Sequence, residues 1–235
     1  MTSVNYSIFF VTGTDTGVGK TMLTGLLTRY LRNTGFRAVA LKPICSGGRA
    51  DARRLRAAAN QALTLDEINP WHFRAALAPL VGARQAKRLL RPGRVLAHVR
   101  GMRKRFQLVL VEGAGGLLSP LGEDFCARDL IRALEATPIV VCPNRLGAIN
   151  QVLLVLAALP PGLSRRAQVA LVSPARAGAA SRSNPRILAE KLGRRRVHVL
   201  PWLKHPARFG RALATRRIRL AIRSLVRSLG LPTPG

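Results

Sequence analysis

The stretch of the chain best suited to chemistry is residues 13–21, which read GTDTGVGKT. Glycines in such a stretch let the backbone turn so that several N–H groups point at one anion. Lys20 has the length and charge to contact the β- and γ-phosphates of a nucleotide, and the hydroxyl of Thr21 is a suitable ligand for Mg²⁺. These residue types in this order predict a loop that binds a nucleoside triphosphate.

The elements on either side of this loop support that interpretation. Residues 6–11 are mostly aromatic and β-branched, which is typical of a buried strand, and apolar residues recur at helical spacing over residues 21–32. The loop would therefore lie at a helix N-terminus, where the helix dipole also favours phosphate. The spacing has one peculiarity, because five residues rather than the usual four separate Gly13 from Gly19. The alternative is a chance glycine-rich turn, and the flanking elements argue against it.

Two other charged residues follow predicted strands. Lys42 comes after the predicted strand 36–41, and Glu112 comes after the predicted strand 107–111. Open parallel sheets bind ligands beyond the carboxyl ends of their strands. Lys42 could also be an ordinary surface lysine. Glu112 is one of only ten acidic residues and stands directly before glycines, which predicts a carboxylate on the Mg²⁺ side of a phosphate site.

A third candidate is Asp51, which opens a predicted basic helix over residues 52–63. Its simplest role is to cap the N-terminus of that helix. A capping carboxylate can also face a metal ion, because only one of its two oxygens is needed for the cap. Both roles stay open on the sequence.

The rest of the chain alternates predicted strands with predicted helices. Residues 64–82 contain several breakers, and we expect them to be irregular. Further strands are predicted at residues 138–142, 168–172 and 197–200. Further helices are predicted at residues 83–104, with an interruption near Pro92, after the loop 120–125 as far as residue 136, and at residues 146–159, 182–192 and 208–229. This alternation predicts an α/β fold of the P-loop NTPase type, with one domain over residues 1–235 and a doubly wound, mostly parallel sheet.

Composition excludes several function classes. The sequence shows neither an apolar run long enough to span a membrane nor a secretory signal, and its cysteines, Cys45, Cys126 and Cys142, lack metal-ligand spacing. We therefore expect a cytoplasmic protein with no membrane partner. The net charge of +29 could attract nucleic acid, but aromatic residues make up only 5% and no nucleic-acid motif is present. We expect a solvated arginine-rich surface and no sequence-specific nucleic-acid partner.

Five motifs in this order resemble those of the dethiobiotin synthetase family. They are GTDTGVGKT at 13–21, KPICSG at 42–47, VEGAGG at 111–116, LGAIN at 146–150 and PWL at 201–203. The resemblance runs through nearly the whole chain, and the five-residue gap within the loop is that family's own variant. Partition and nitrogenase iron-protein ATPases share the fold but carry an additional lysine near the start of the loop, where this chain has Thr14.

The resemblance implies an ATP-dependent enzyme of biotin synthesis that closes a ureido ring. Its substrates would be 7,8-diaminononanoate and CO₂, its cofactors ATP and Mg²⁺, and its product dethiobiotin. One amine would take up CO₂ as a carbamate, and a carbamate oxygen would attack the γ-phosphate of ATP. The second amine would then attack the resulting carbamic–phosphoric anhydride and release phosphate.

The resemblance also implies a role for individual residues. Lys42 and Lys20 would be catalytic, and Thr21, Asp51 and Glu112 would bind the metal. The nucleotide would contact Gly17, Val18, Gly19, Lys20, Thr21, Met22, Asp51, Glu112, Gly113, Ala114, Gly115, Pro201, Trp202 and Leu203. The substrate would contact Ser46, Gly147 and Asn150, and its carboxylate would bind at the helix start that contains the last two. The active site would lie at the interface of a homodimer.

Three departures from the family pattern bear on ligand recognition. The loop between Ser46 and Asp51 is short, and residues 75–80 lack the family's small polar residues. The strand 168–172 ends at Ser173-Pro174, where many members have Asn-Asp for the adenine. The first two predict altered substrate affinity, and the third predicts a weak preference for the base.

Two other functions remain compatible with the sequence. One is an amide ligase similar to cobyrinate synthetases but without their glutaminase domain, since no cysteine follows Cys142 that could serve as its nucleophile. The other is a non-catalytic P-loop ATP switch or a nucleic-acid-binding protein, which the fold and the positive charge suggest.

Overall fold

The computed structural model describes residues 7–203 and 208–233, so Tyr6, the first residue of the first predicted strand, lies outside the described residues. The strands are β1 Ser7–Gly13, β2 Ala38–Leu41, β3 Ile44–Ser46, β4 Trp71–Phe73, β5 Leu108–Glu112, β6 Thr137–Pro143, β7 Gln168–Val172 and β8 Val197–Leu200. Six of them form a central sheet in the order β2-β5-β1-β6-β7-β8, and each neighbouring pair is parallel. The short strands β3 and β4 pair with each other in parallel.

Helices connect and flank the strands of the central sheet. They are α1 Lys20–Asn33, α2 Ala50–Ala58, α3 Leu65–Ile68, α4 Pro79–Gln85, α5 Pro92–Arg105, α6 Ala127–Ala133, α7 Ala148–Ala158, α8 Pro161–Arg166, α9 Ala179–Leu192, α10 Phe209–Ala214 and α11 Arg216–Ser228, with a 3₁₀ turn at Arg194–Arg196. A mostly parallel central sheet with flanking helices confirms the predicted fold class.

The sequence of the strands explains why the sheet lies in the core. Strands β2 and β5 are buried at every position, and Phe9 and Phe10 of β1 are 2% and 1% exposed. Parallel strands covered by helices are buried on both faces, so they are apolar throughout and do not alternate with polar residues. From α1, Leu26 and Leu27 are buried in the same core cluster.

The strand order determines where a ligand can bind. The central strand β1 lies between β5 and β6, with Val11 opposite Glu112 and Gly13 opposite Val141. Since all three strands run in the same direction, their carboxyl ends lie at one edge of the sheet. That edge is where open α/β sheets bind ligands.

The prediction that residues 64–82 are irregular is wrong. This segment contains α3, β4 and the first part of α4. Helix α3 begins with a capping box, in which the Thr64 hydroxyl accepts from the Glu67 N–H and the Glu67 carboxylate accepts from the Thr64 N–H. Strand β4 forms because it pairs with β3, a contact between segments far apart in the sequence.

Two long predicted helices are each divided. The helix predicted over residues 83–104 is α4 and α5, and α5 begins with Pro92 at its first position, where proline needs no N–H partner. The helix predicted over residues 208–229 is α10 and α11. Thr215 divides it with φ −71° and ψ 120°, the extended conformation of an N-cap residue, although its side chain makes no capping hydrogen bond in the described residues.

None of the helices in the described residues is both long and apolar enough to span a bilayer.

Candidate functional site

The loop between β1 and α1 is shaped by its glycines. Gly17 and Gly19 have φ angles of 74° and 101°, in the left-handed region that glycine adopts without strain. A Cβ atom on Gly13 would lie 2.6 Å from a side-chain carbon of the loop itself, so a larger residue does not fit. The N–H of Thr14 donates to the carbonyl oxygen of Val141 in β6 at 3.0 Å and ties the loop to that strand. The loop therefore turns tightly into the N-terminus of α1, where anions bind.

Lys20 begins α1, and its side chain is buried. Its ammonium group donates to the carbonyl oxygen of Asp15 within the loop at 2.7 Å. Burial and the nearby positive charge of Lys42 lower the pKa of Lys20 to about 8. A bound triphosphate would place full negative charge beside this ammonium, whereas the Asp15 carbonyl offers only a dipole.

Four side chains from different elements meet beside the loop. The ammonium of Lys42, just after β2, lies 2.6 Å from Oε1 of Glu112 at the end of β5. It also lies 2.8 Å from Oδ2 of Asp51 in α2. The hydroxyl of Thr21 in α1 donates to the same Glu112 oxygen at 2.7 Å. The fold thus brings together the three predicted metal ligands and Lys42, one of the two predicted catalytic lysines.

The charges in this cluster stabilise one another. Burial acts to lower the pKa of Lys42, but the carboxylates of Glu112 and Asp51 outweigh it and hold that pKa above its ordinary value. Burial acts to raise the pKa of Asp51, but the charge of Lys42 and its hydrogen bond hold that pKa below its ordinary value. Beside these two carboxylates Lys42 is therefore protonated at neutral pH.

The cluster suits a Mg²⁺ ion. The side chain of Glu112 is fully buried, and within residues 7–203 and 208–233 its Oε2 has no hydrogen-bond partner. A buried carboxylate oxygen without a partner is costly, and a hard cation would satisfy it. The described part of the chain has no group of three His, Cys, Asp or Glu side chains that could hold a metal alone. A Mg²⁺ ion here would take further ligands from Thr21, water and nucleotide phosphates.

Two cavities meet at this cluster. The loop cavity, of about 550 Å³, lies beside the phosphate-binding loop and extends past β6 and β7 to Trp202. The β3 cavity, of about 600 Å³, lies between β3, the start of α4 and the loop after β5. Both cavities are lined by Thr16, Lys42, Asp51 and Gly115. Ligands bound in the two cavities would meet beside Lys42.

The residues predicted from the resemblance fall into three groups. The loop cavity is lined by Gly17, Val18, Gly19, Lys20, Thr21, Met22, Asp51, Glu112, Gly115, Trp202 and Leu203. The β3 cavity is lined by Ser46 and Ala114, together with Gly115, Lys42 and Asp51. Within the described chain, neither cavity is lined by Gly113, Pro201, Gly147 or Asn150. Gly147 and Asn150 are exposed at the start of α7.

Sequence reasoning missed Asn69, which is fully buried behind Lys42. Its amide Nδ2 donates to the Lys42 carbonyl oxygen at 2.7 Å. Its Oδ1 accepts from the thiol of Cys45 at 3.1 Å and from Nε of Arg49 at 3.2 Å. Asn69 therefore fixes the segment that carries both Lys42 and Ser46. In the sequence Asn69-Pro70 marks only a break, so no local signal could have found this role.

Sequence reasoning also missed Asn144, which lines the far end of the loop cavity beside Ser173. Its side chain is already engaged. The amide Nδ2 donates to the Ser181 carbonyl oxygen at 2.8 Å, and Oδ1 accepts from the Asn184 amide at 3.1 Å. These bonds attach the end of β6 to α9 and leave little of Asn144 free to contact a base.

Comparison with known proteins gives consistent results. A family profile described as an AAA domain matches residues 8–207. The ATP-dependent dethiobiotin synthetase BioD of Anaeromyxobacter sp. (strain Fw109-5) is 44% identical over 154 residues, which cover 64% of this chain and 69% of that protein. BioD of Anaeromyxobacter sp. (strain K) is 38% identical over 214 residues, which cover 88% of this chain and 95% of that protein.

Among solved structures, the ParA family ATPase from Chlorobium tepidum TLS superposes with a TM-score of 0.61. The match covers 94% of this chain and 99% of that chain at 12% sequence identity. At so low an identity the similarity shows the fold alone.

Proposed function

This chain belongs to the ATP-dependent dethiobiotin synthetase family, and from that premise we propose how its residues close a ureido ring on 7,8-diaminononanoate with CO₂ and ATP. The family membership favours a ring-closing enzyme over a cobyrinate-synthetase-like ligase and over a non-catalytic ATP switch. The observation that carries the proposal is the position of Lys42, a buried cation where the two cavities meet.

The reaction has three steps. One amine of the substrate adds to CO₂ and loses a proton, which gives a carbamate. A carbamate oxygen attacks the γ-phosphorus of ATP and displaces ADP, which gives a carbamic–phosphoric anhydride. The second amine attacks the carbonyl carbon of the anhydride, loses a proton and expels phosphate, which closes the ring.

Lys42 is suited to the second of these steps. It lies between a nucleotide in the loop cavity and a carbamate in the β3 cavity, and its charge is fixed by Glu112 and Asp51. A positioned cation stabilises the carbamate and the negative charge that develops during phosphoryl transfer. The carboxylates of Glu112 and Asp51 keep Lys42 protonated in this structure, and in our proposal the amine protons leave to solvent or to the phosphate.

The nucleotide lies in the loop cavity. The backbone from Gly17 to Met22 and the ammonium of Lys20 hold its phosphates. Thr21, Asp51 and Glu112 would hold a Mg²⁺ ion, which when bound neutralises phosphate charge. The nucleotide also approaches the backbone at Gly115, and its base lies near Trp202 and Leu203, which line the same cavity. Of the described residues, Gly113, Ala114 and Pro201 line no part of this cavity and support it as neighbours of those residues in the chain.

The substrate lies in the β3 cavity. One end of the substrate extends out of this cavity, toward a second copy of the chain. Ser46 has a buried hydroxyl with no hydrogen-bond partner in the described residues, so it is available to a substrate amine or carbamate. Gly147 and Asn150 lie outside this cavity, so in our proposal they reach the substrate of a second copy in a homodimer. Leu146, just before α7, and Leu154, within α7, are 87% and 60% exposed and offer apolar surface for that contact. We place the enzyme in the cytoplasm, in keeping with its three free cysteines.

The test supplies 7,8-diaminononanoate, isotope-labelled bicarbonate, ATP and Mg²⁺, and measures dethiobiotin by mass spectrometry. We expect one labelled carbon per product and equal amounts of ADP and phosphate. Lys42→Ala should lower turnover on the order of 100-fold with little change in nucleotide affinity, while Lys104→Ala, at an exposed site on α5, should retain activity. Normal turnover in Lys42→Ala, or product without the label, would contradict the proposal. Sedimentation of the wild type would test the dimer.

A further inference from the structure

The carboxyl-terminal part of the chain has a one-sided charge that the ring-closing reaction does not use. Residues 191–235 contain 12 Lys and Arg residues and no Asp or Glu. A cavity of about 620 Å³ lies between the 3₁₀ turn before β8 and helix α11, and we call it the arginine cavity. Its lining includes Arg194 and Arg195 of the turn and Arg223 and Arg227 of the helix.

The guanidinium groups in this cavity lack anionic partners. Across residues 7–203 and 208–233, none of the four arginines lies within ion-pair distance of a carboxylate, and no acidic residue lines the cavity. The Nε of Arg223 is buried and has no hydrogen-bond partner among the described residues. A buried donor left unpaired is costly, and an anion in the cavity would satisfy it.

The cavity continues along the helix. Arg223 also lines a neighbouring cavity of about 400 Å³, which includes Arg219. Arg219, Arg223 and Arg227 are four residues apart, so they form one stripe with roughly 6 Å of rise between successive charges. Like charges at this spacing repel one another in a helix. A ligand with several linked negative charges would relieve that repulsion along the whole stripe, whereas a single small anion would not.

The surroundings of the stripe narrow the class of ligand. The apolar face of α11, which includes Ile218, Ile222 and Leu225, is buried in the core, and Leu220, 50% exposed, is the one large apolar residue of α11 at the described surface. A single exposed leucine gives the helix no apolar face to insert into a bilayer. No aromatic side chain of the described chain lines the arginine cavity, and Tyr30, which lines the neighbouring cavity, is only 6% exposed, so bases have little to stack on. Arginine pairs phosphate oxygens in a bidentate manner. The site is suited to a phosphate backbone and not to the bases attached to it.

We propose that the arginine cavity and the adjoining stripe on α11 form a second anion site, which binds a chain of linked phosphates without reading a base sequence. The chain of phosphates is the backbone of a nucleic acid or an inorganic polyphosphate. The site is separate from the active site, because it shares no lining residue with the loop cavity or the β3 cavity. It lies beyond the amino end of β8, whereas the nucleotide lies beyond the carboxyl ends of the strands.

The test must separate this site from the general positive charge of the protein. One variant changes Arg194, Arg195, Arg223 and Arg227 to Gln. The matched control changes Arg37, Arg91, Arg94 and Arg103 to Gln, which removes the same charge from exposed positions elsewhere. Binding of a labelled single-stranded oligonucleotide of mixed sequence is measured for both variants at several salt concentrations. Ring-closing activity of both variants should equal that of the wild type, which shows that they fold.

We expect the cavity variant to bind at least about tenfold more weakly than the control near 0.15 M salt. Each lost phosphate contact lowers the salt slope by roughly 0.7 for a single strand, so four lost contacts should lower it by about 3. If the fourfold variant unfolds, the pair Arg194→Gln and Arg195→Gln, both exposed in the 3₁₀ turn, should still lower the slope by about 1.4. Equal losses in the cavity variant and the control would overturn the proposal.

Competitors identify the ligand. Polyphosphate that displaces the oligonucleotide equally well per phosphate would show that any phosphate chain suffices, and a much weaker effect would identify nucleic acid as the ligand. Either result supports the site. Polyglutamate that competes equally well at the same charge would instead identify an acidic protein as the ligand. Competition by vesicles of anionic lipid would indicate a membrane surface, and both of these outcomes would overturn the proposal.

Discussion

The two cavities that meet at Lys42 are built in different ways. Much of the loop cavity is formed by consecutive residues, 16–22, whose shape comes from the backbone around glycines. The β3 cavity is lined mainly by separate segments at residues 45–48, 50–51, 76–79, 114–115 and 119–120. A local sequence motif can specify the lining of the loop cavity. The lining of the β3 cavity depends on contacts that hold distant segments together.

Buried polar contacts provide that support for the β3 cavity. Asn69 binds the backbone of Lys42, the thiol of Cys45 and the guanidinium of Arg49. The N–H of Gly47 donates to the carbonyl oxygen of Phe73 at the end of β4 at 3.1 Å and to that of Ala75 at 3.0 Å. The φ of Gly47, 79°, suits only glycine without strain. Changes at the loop should therefore act on phosphates alone, and changes behind β3 should act on the substrate alone.

The largest effect is expected for Lys20→Ala. This change removes the cation that meets phosphate charge as it grows during transfer, which typically costs on the order of 100-fold in kcat/KM or more. The measurement is steady-state kinetics with ATP varied at saturating diamine. Lys104→Ala provides the control, since that lysine is exposed on α5. A loss of less than about threefold would show that the loop does not hold the reacting phosphate.

A smaller effect is expected for Glu112→Gln. The amide keeps an oxygen but loses the charge that a hard cation prefers, so the Mg²⁺ concentration for half-maximal rate should rise about tenfold. The control is Glu190→Gln in α9, where the carboxylate is exposed and contacts only Arg186 among the described residues. An unchanged Mg²⁺ titration would place the metal away from Glu112.

Asn69→Ala tests the support of the β3 cavity. Loss of the amide frees the backbone of Lys42 and leaves buried groups unpaired, which should cost roughly 1–3 kcal/mol of stability. We expect KM for the diamine to rise several-fold and the nucleotide Kd to stay within about twofold, because the side-chain hydrogen bonds of Asn69 in the described residues go to residues 42–49 and 71 and not to the phosphate-binding loop. Asn33→Ala, at the exposed end of α1, is the control. Equal effects on binding of the diamine and of the nucleotide would show that the two cavities are not supported independently.

The same contrast explains what the sequence could predict of the fold. The strands β7 and β8 were predicted residue for residue, because each is a short apolar run between breakers. The segment at 64–82 was missed because its elements are three to seven residues long and depend on partners elsewhere. One local signal was present there, since Thr64 and Glu67 form the capping box that begins α3.

For the site as for the fold, continuous motifs could be predicted from the sequence and contacts between distant residues could not. The motifs at residues 13–21 and 111–116 are continuous, and their side chains meet in the structure at the Thr21–Glu112 hydrogen bond. The role of Asn69 cannot be predicted from a continuous motif, because it arises from three hydrogen bonds to residues 20–27 positions away. Asn144, just after β6, is similar, since its partners Ser181 and Asn184 lie in helix α9, 37 and 40 positions away.

The smallest effect concerns the base of the nucleotide, at the far end of the loop cavity. To select adenine, a site must direct free donors and acceptors at its polar edge. Here Asn144 is bonded to α9, and the N–H of Ser173 donates to the Leu200 carbonyl oxygen at 2.9 Å. Pro174 and Pro201 have no N–H. Trp202, which is 49% exposed beside this end of the cavity, can stack on any base.

We therefore expect firm binding of phosphates with little selection of the base. A lost side-chain hydrogen bond is worth ~0.5–1.5 kcal/mol, and 1.4 kcal/mol is about tenfold, so kcat/KM for ATP should exceed that for GTP or CTP by only about tenfold. The measurement is kcat/KM for the three nucleotides at fixed Mg²⁺, repeated with Trp202→Ala, which should weaken all three alike because stacking does not distinguish them. If ATP were preferred by more than about 1000-fold, that would need several directed hydrogen bonds. Such a result would assign base recognition to the backbone of Trp202 and Leu203. It would also show that Ser173-Pro174, in place of Asn-Asp, does not weaken the preference for adenine.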